Sequence, residues 1–95
     1  MNEVNETGAY KNISTSTLVR TGPCRLLGIF VASASATPTI KVWDAVTAVA
    51  PIVVNTFTPS AGSFYPMPFT LGTGLYVTIS GTVDCTVAWN PIAGA

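Results

Sequence analysis

Histidine is absent from the chain. That removes the commonest general base, the commonest metal ligand, and every Ser–His or Cys–His pair. Charge is nearly absent too. Only 8% of residues are Asp, Glu, Lys or Arg, against about 25% in an ordinary protein. The whole set is Glu3, Glu6, Lys11, Arg20, Arg25, Lys41, Asp44 and Asp84, with a formal net charge of zero. With no cluster of Lys and Arg, the chain has no basic footprint for nucleic acid and little attraction for an anionic membrane. The longest apolar stretch, Leu26–Ala36, is broken by Gly28, Ser33 and Ser35 and is too short to span a bilayer. The first residues, MNEVNETGAY, are acidic and polar, unlike a secretory signal. Cys24 and Cys85 are the only cysteines, fewer than a secreted disulfide scaffold of this size carries. In the body of predicted strands they read as small buried hydrophobes; whether they pair is left open.

No window keeps apolar residues at i, i+3, i+4 and i+7, so no helix is expected. Short β-rich segments alternate with turn clusters instead. Met1–Ala9 offers little to bury and reads as an N-terminal arm. Residues 10–95 read as one domain. Tyr10–Ser14 and Ser16–Arg20 are predicted strands. Cys24–Ala34 carries apolar side chains on both faces, which calls for cover on both sides. A small-residue turn at Ala34–Pro38 precedes Thr39–Asp44, in which Ile40 and Val42 oppose Lys41 and Trp43. Pro51–Thr58 is a further strand. Phe64–Leu71, with Pro66 and Pro68, fits only a sheet edge or an extended segment, because proline lacks the backbone donor. Leu75–Ser80 and Val83–Asn90 alternate cleanly, and Gly81-Thr82 between them suits a type II′ hairpin turn. Seven or eight such strands predict an all-β fold: a compact antiparallel sandwich or jelly-roll-like barrel.

The residues offer little chemistry. Glu3 and Glu6 lie in the arm, where burial cannot tune a pKa. Asp44 and Asp84 read as exposed carboxylates near turns, and an acid–base pair would need both in one cleft. Two cysteines are too few for a zinc site, and two carboxylates are too few for calcium. Gly72-Thr73-Gly74 precedes a strand, whereas a phosphate cradle opens a helix. Asn5-Glu6-Thr7 and Asn12-Ile13-Ser14 match the glycosylation sequon, a tripeptide common by chance. The expectation is a non-enzyme with no catalytic residue, metal or cofactor.

The composition points to surfaces. Eight charges spread over roughly 5,200 Å² leave a bare monomer prone to association, and charge depletion marks the centres of interfaces. Trp89 falls on the inward face of its strand. Trp43, Tyr65 and Tyr76 fall on faces read as more exposed. Such aromatics serve core packing, a protein interface or a sugar-stacking platform.

From Thr39 to Pro91 the order of segments is distinctive: Lys41–Asp44 (KVWD), the proline-rich aromatic stretch Phe64–Phe69, and the run Gly74–Val83 (GLYVTISGTV). In this order they resemble the small β-rich capsid decoration (cement) proteins of tailed bacteriophages, over a little more than half the chain. The resemblance implies a virion protein on the outer surface of the capsid, made in the host cytoplasm. It would be a homotrimer bridging subunits of the major capsid protein, with a second face or the arm lying against the shell. For the interface the aromatic and Met residues Trp43, Tyr65, Met67, Phe69 and Tyr76 are the candidates, since these types are enriched at such contacts. The alternative is a carbohydrate-binding or tail-associated module for host adhesion, with Trp43 and Tyr65 as stacking platforms.

Overall fold

A computed structural model describes residues 9–91; the expected arm, apart from Ala9, lies outside the described residues. The protein is all-β. Six strands form one antiparallel sheet: β1 (Ala9–Ile13), β2 (Thr17–Thr21), β3 (Cys24–Trp43), β4 (Ile52–Phe57), β5 (Ser63–Leu71) and β6 (Gly74–Pro91). The long strands β3 and β6 pair with each other through the middle of the sheet. β1 and β2 flank β6, while β4 and β5 flank β3.

Twenty residues in β3, at about 3.3 Å each, would run roughly 66 Å if straight. The longest dimension of the molecule is 43 Å, so the strand must bend. The bend sits where Ser35 faces Thr82 and Thr39 faces Ser80. Three residues of β3 there oppose Gly81 alone. Thr37 (φ 57°) and Gly81 (φ 79°) both take the left-handed conformation, which glycine tolerates and a β-branched residue resists. The sheet thereby folds over itself into a half-barrel. Its first half is β1, the end of β6, the start of β3, and β5. Its second half is β2, the start of β6, the end of β3, and β4.

This corrects two expectations. The segments Leu75–Ser80 and Val83–Asn90 are not a hairpin but one continuous strand, and Ala34–Pro38 does not separate two strands. The turn signals were real, yet they lie opposite each other in neighbouring strands, so the pair bends together. Counted at the bend, β3 and β6 supply four segments, which brings the six strands into the range of seven or eight that the sequence pattern suggested.

The inner faces of both halves meet in one core. Leu26, Ile29, Ile40, Val42, Leu75, Val77 and Val87 are fully buried, each contributing about 1.5–3 kcal/mol. Cys24 and Cys85 are also fully buried and unpaired. Cys85 lies opposite Val31, seven residues along β3 from Cys24, roughly 20 Å away and far outside disulfide reach. Burial pushes the Cys85 thiol up to about 11 and raises that of Cys24. Gly28 lets β5 approach: a Cβ there would sit 2.7 Å from the Tyr65 carbonyl oxygen and 2.5 Å from the Phe64 ring.

Candidate interaction surface

A folded sheet leaves two seams where the edges of its halves face each other. On one side stand β1 and β2, which do not pair with each other. A bulge between Leu18 and Arg20 separates two side chains that simple alternation would put on one face. Leu18 stays outside, and the Arg20 guanidinium turns in to lie 5.6 Å from the Trp89 ring centroid. Trp89 itself packs against the core. The Ser16 hydroxyl accepts the Ile79 N–H at 2.9 Å, tying the β1–β2 connection to β6.

The other seam, between β4 and β5, is open. It forms an apolar groove of about 460 Å³, walled by Val53, Val54 and Phe57 from β4 and by Tyr65, Met67 and Phe69 from β5. β5 alternates as its composition requires: Tyr65, Met67 and Phe69 face the groove, while Phe64, Pro66 and Thr70 oppose the outward residues Phe30, Gly28 and Arg25. Phe57 and Tyr65 touch at 5.1 Å between ring centroids, so the groove narrows at that end. The Tyr65 hydroxyl accepts the Ser60 N–H at 2.8 Å, which holds the ring and pulls its pKa down from the ordinary phenol value.

Around β4 the groove runs into a second apolar feature. Leu18 faces Tyr76, Tyr76 faces Trp43, and Trp43 faces Ile52, so these four side chains make a row across the outer face of the second half. Leu18 and Ile52 are exposed, and Tyr76 and Trp43 are half-buried. The Trp43 indole N–H donates to Thr78 Oγ1 at 3.2 Å. The Lys41 ammonium lies 4.4 Å from the Trp43 ring centroid, covering that face of the indole.

The five residues expected at an interface therefore border β4 on two sides. Tyr65, Met67 and Phe69 line the groove; Trp43 and Tyr76 belong to the row. Tyr65 faces the seam rather than the outer surface, and Met67 is buried at 5% exposure, forming part of the groove's floor. No residue from Ala45 to Val83 is charged, so both walls of the groove are electrically neutral, and Lys41 over Trp43 is the one cation beside the row.

Sequence reasoning missed Leu18 and Ile52 in the row, and Tyr10, Phe30 and Phe64 on the other outer face. Phe30 was legible: it stands between Ile29 and Val31, so inward burial of those two forces it outward.

Among the described residues the carboxylates, Asp44 and Asp84, do not come together. Asp84 is exposed in mid-strand and accepts the Asn12 Nδ2–H at 2.9 Å; this also occupies the side chain of the second sequon. Asp44 accepts backbone N–H groups from Thr73 at 2.8 Å and from Gly72 and Gly74. Burial works to raise the Asp44 pKa, but these three donors outweigh it and hold the carboxyl below its usual range. The Gly72-Thr73-Gly74 loop is thus an anion nest filled by the chain's own carboxylate. Trp43 faces Tyr76, eight residues before Asp84 along β6, so Asp44 and Asp84 lie in opposite halves of the sheet. Among the described residues no three Cys, Asp or Glu side chains gather as metal ligands.

No protein-family model, curated protein or solved structure matches this chain.

Proposed function

We propose that this chain is a non-enzymatic structural protein of a virion, which decorates a phage capsid and stabilises it by bridging major capsid subunits. The observation that carries this reading is the apolar surround of β4. An open groove walled by two uncharged strands and a partly exposed aromatic–aliphatic row meet there, with Lys41 as the one charge beside the row. Interface centres have this chemistry, and the likeness of Lys41–Asp44, Phe64–Phe69 and Gly74–Val83 to capsid decoration proteins supplies the partner. The action is mechanical. Each copy lays Trp43, Tyr76, Phe69 and the groove against neighbouring shell subunits, and the contacts of many copies add up against rupture of the seams between capsomers.

Capsids prepared without the protein test this. Purified protein should co-sediment with them and raise the temperature at which they burst; capsids that neither retain it nor gain heat resistance would refute the reading. The glycan-binding alternative draws no support from the two rings it needs, since Lys41 covers Trp43 and Tyr65 packs on Phe57. A homotrimer is the form that the resemblance implies.

A further inference from the structure

We infer that the outer face of the first half of the sheet is a two-fold contact with a second copy of this chain. This departs from the homotrimer that the resemblance implies and is independent of the shell contact, which uses the other half. The face is built in rows across β5, β3, β6 and β1. One row is Pro66, Gly28, Ala88 and Tyr10, and the next is Phe64, Phe30, Thr86 and Asn12. Tyr10, Phe30 and Phe64 are 76%, 43% and 54% exposed; the Phe64 ring lies over Gly28, and Ala88 and Thr86 separate the two phenylalanines from β1. Large apolar side chains gathered on one face mark an interaction site.

The charges say which partner. Arg25 stands one outward row beyond Gly28 and faces Asn90; Asp84 stands one row beyond Thr86 at the other end and faces Ser33. Six residues of β6 separate the two rows, roughly 20 Å. The face therefore reads positive, apolar, apolar, negative along the strands. Turned through 180° about an axis through its centre, it is its own complement: Arg25 meets Asp84 of the second copy, the Phe30–Phe64 patches stack, and Asp84 meets the second Arg25. Such an isologous contact is the commonest symmetry among protein oligomers. The outer face of the second half has no such complement, because Lys41 is its only charge. The footprint, four strands about 4.8 Å apart and roughly 20 Å long, covers on the order of 400 Å². That is small for a stable pair, so the dimer should dissociate at micromolar concentrations. A two-fold contact gives an even number of copies: two, or six where a three-fold contact joins three pairs.

The test is a charge swap read by sedimentation equilibrium, with circular dichroism confirming the fold. Wild-type protein should associate in even multiples of 9.8 kDa. Arg25→Asp and Asp84→Arg should each weaken association by about tenfold or more, since each opposes like charges twice. Mixing the two variants should restore pairing, because every contact in the mixed pair then joins unlike charges. Phe64→Ser, which alters an exposed position, should weaken association with no rescue by mixing. A wild-type monomer at 100-micromolar order, a trimer, or singles that pair as well as wild type would overturn the inference. A mixture that stays monomeric would overturn it as well. None of these outcomes bears on whether the protein binds shells.

Discussion

The two seams of the folded sheet are bordered by edge strands of similar length on the two sides of the same core, yet they end differently. Between β1 and β2 the chain completes itself: Arg20 reaches in over Trp89, and Ser16 fastens the connection to β6. Between β4 and β5 it stops short, leaving Val53, Val54, Tyr65 and Phe69 around an open groove. Edge strands are a hazard that proteins ordinarily blunt with charge, proline or an inward-pointing cation. β1 carries Lys11, β2 carries the inward Arg20, and β5 carries Pro66 and Pro68. β4 carries neither charge nor proline; its only irregularity is the bulging of its register against β3. One seam is thus part of the fold's own stability, whereas the other stays open, and under the proposed function a partner covers it.

The largest expected effect follows from that contrast. Trp89→Ala removes a core-packed ring from the filled seam and should cost about 3 kcal/mol in chemical denaturation. Phe69→Ala, at 46% exposure on the open seam, should cost about 1 kcal/mol or less. Equal losses would erase the distinction between the seams.

Asp44 sharpens the comparison from another side, because its three backbone bonds fix the turn that joins β5, one wall of the groove, to β6. Asp44→Ala should cost about 2 kcal/mol, the scale of hydrogen bonds to a charged group. The carboxyl is held below its unfolded value of about 3.9. Its stabilisation is therefore fully present above pH 4 and is lost as pH falls through the lowered folded pKa. Acid titration of wild type against Asp44→Asn should show this slope in the first protein and a shallower one in the second; parallel curves would mean that the nest contributes nothing.

A smaller effect, about 1 kcal/mol, is expected for Arg20→Ala, which removes the cation over Trp89. Arg20→Met keeps much of the packing and should recover part of the loss. If the methionine variant is no more stable than the alanine variant, Arg20 does not fill its seam by packing.

Much of this fold was legible in the residues. Alternation in Thr39–Asp44, Leu75–Ser80 and Val83–Asn90 put Ile40, Val42, Leu75, Val77, Val83, Cys85 and Val87 inside, where they are. Pro66 and Pro68 marked β5 as an edge. The connectivity was not legible. A glycine with positive φ serves a hairpin turn and a strand bend alike, and only the partner strand decides which. At Gly81 the partner is β3, bending at Thr37, so no hairpin forms. The bulges in β2 and β4 were hidden for the same reason: an extra residue is visible only against the neighbouring ladder. For the candidate surface, residue type pointed to Trp43, Tyr65, Met67, Phe69 and Tyr76, but their gathering around β4 depends on β4 and β5 both flanking β3. Tyr65 shows the limit, since its inward orientation follows from register with Ile29 and not from its own sequence neighbourhood.

In the proposed function the β4 surround is the surface that meets the shell. Its most direct measurement is the affinity of Trp43→Ala and Phe69→Ala for capsids prepared without the protein, each variant first shown to be folded by circular dichroism. Binding at least about tenfold weaker than wild type, the loss of a buried aromatic anchor, is the predicted result. Retention of both variants at wild-type affinity would contradict the account and place the shell contact elsewhere on the molecule.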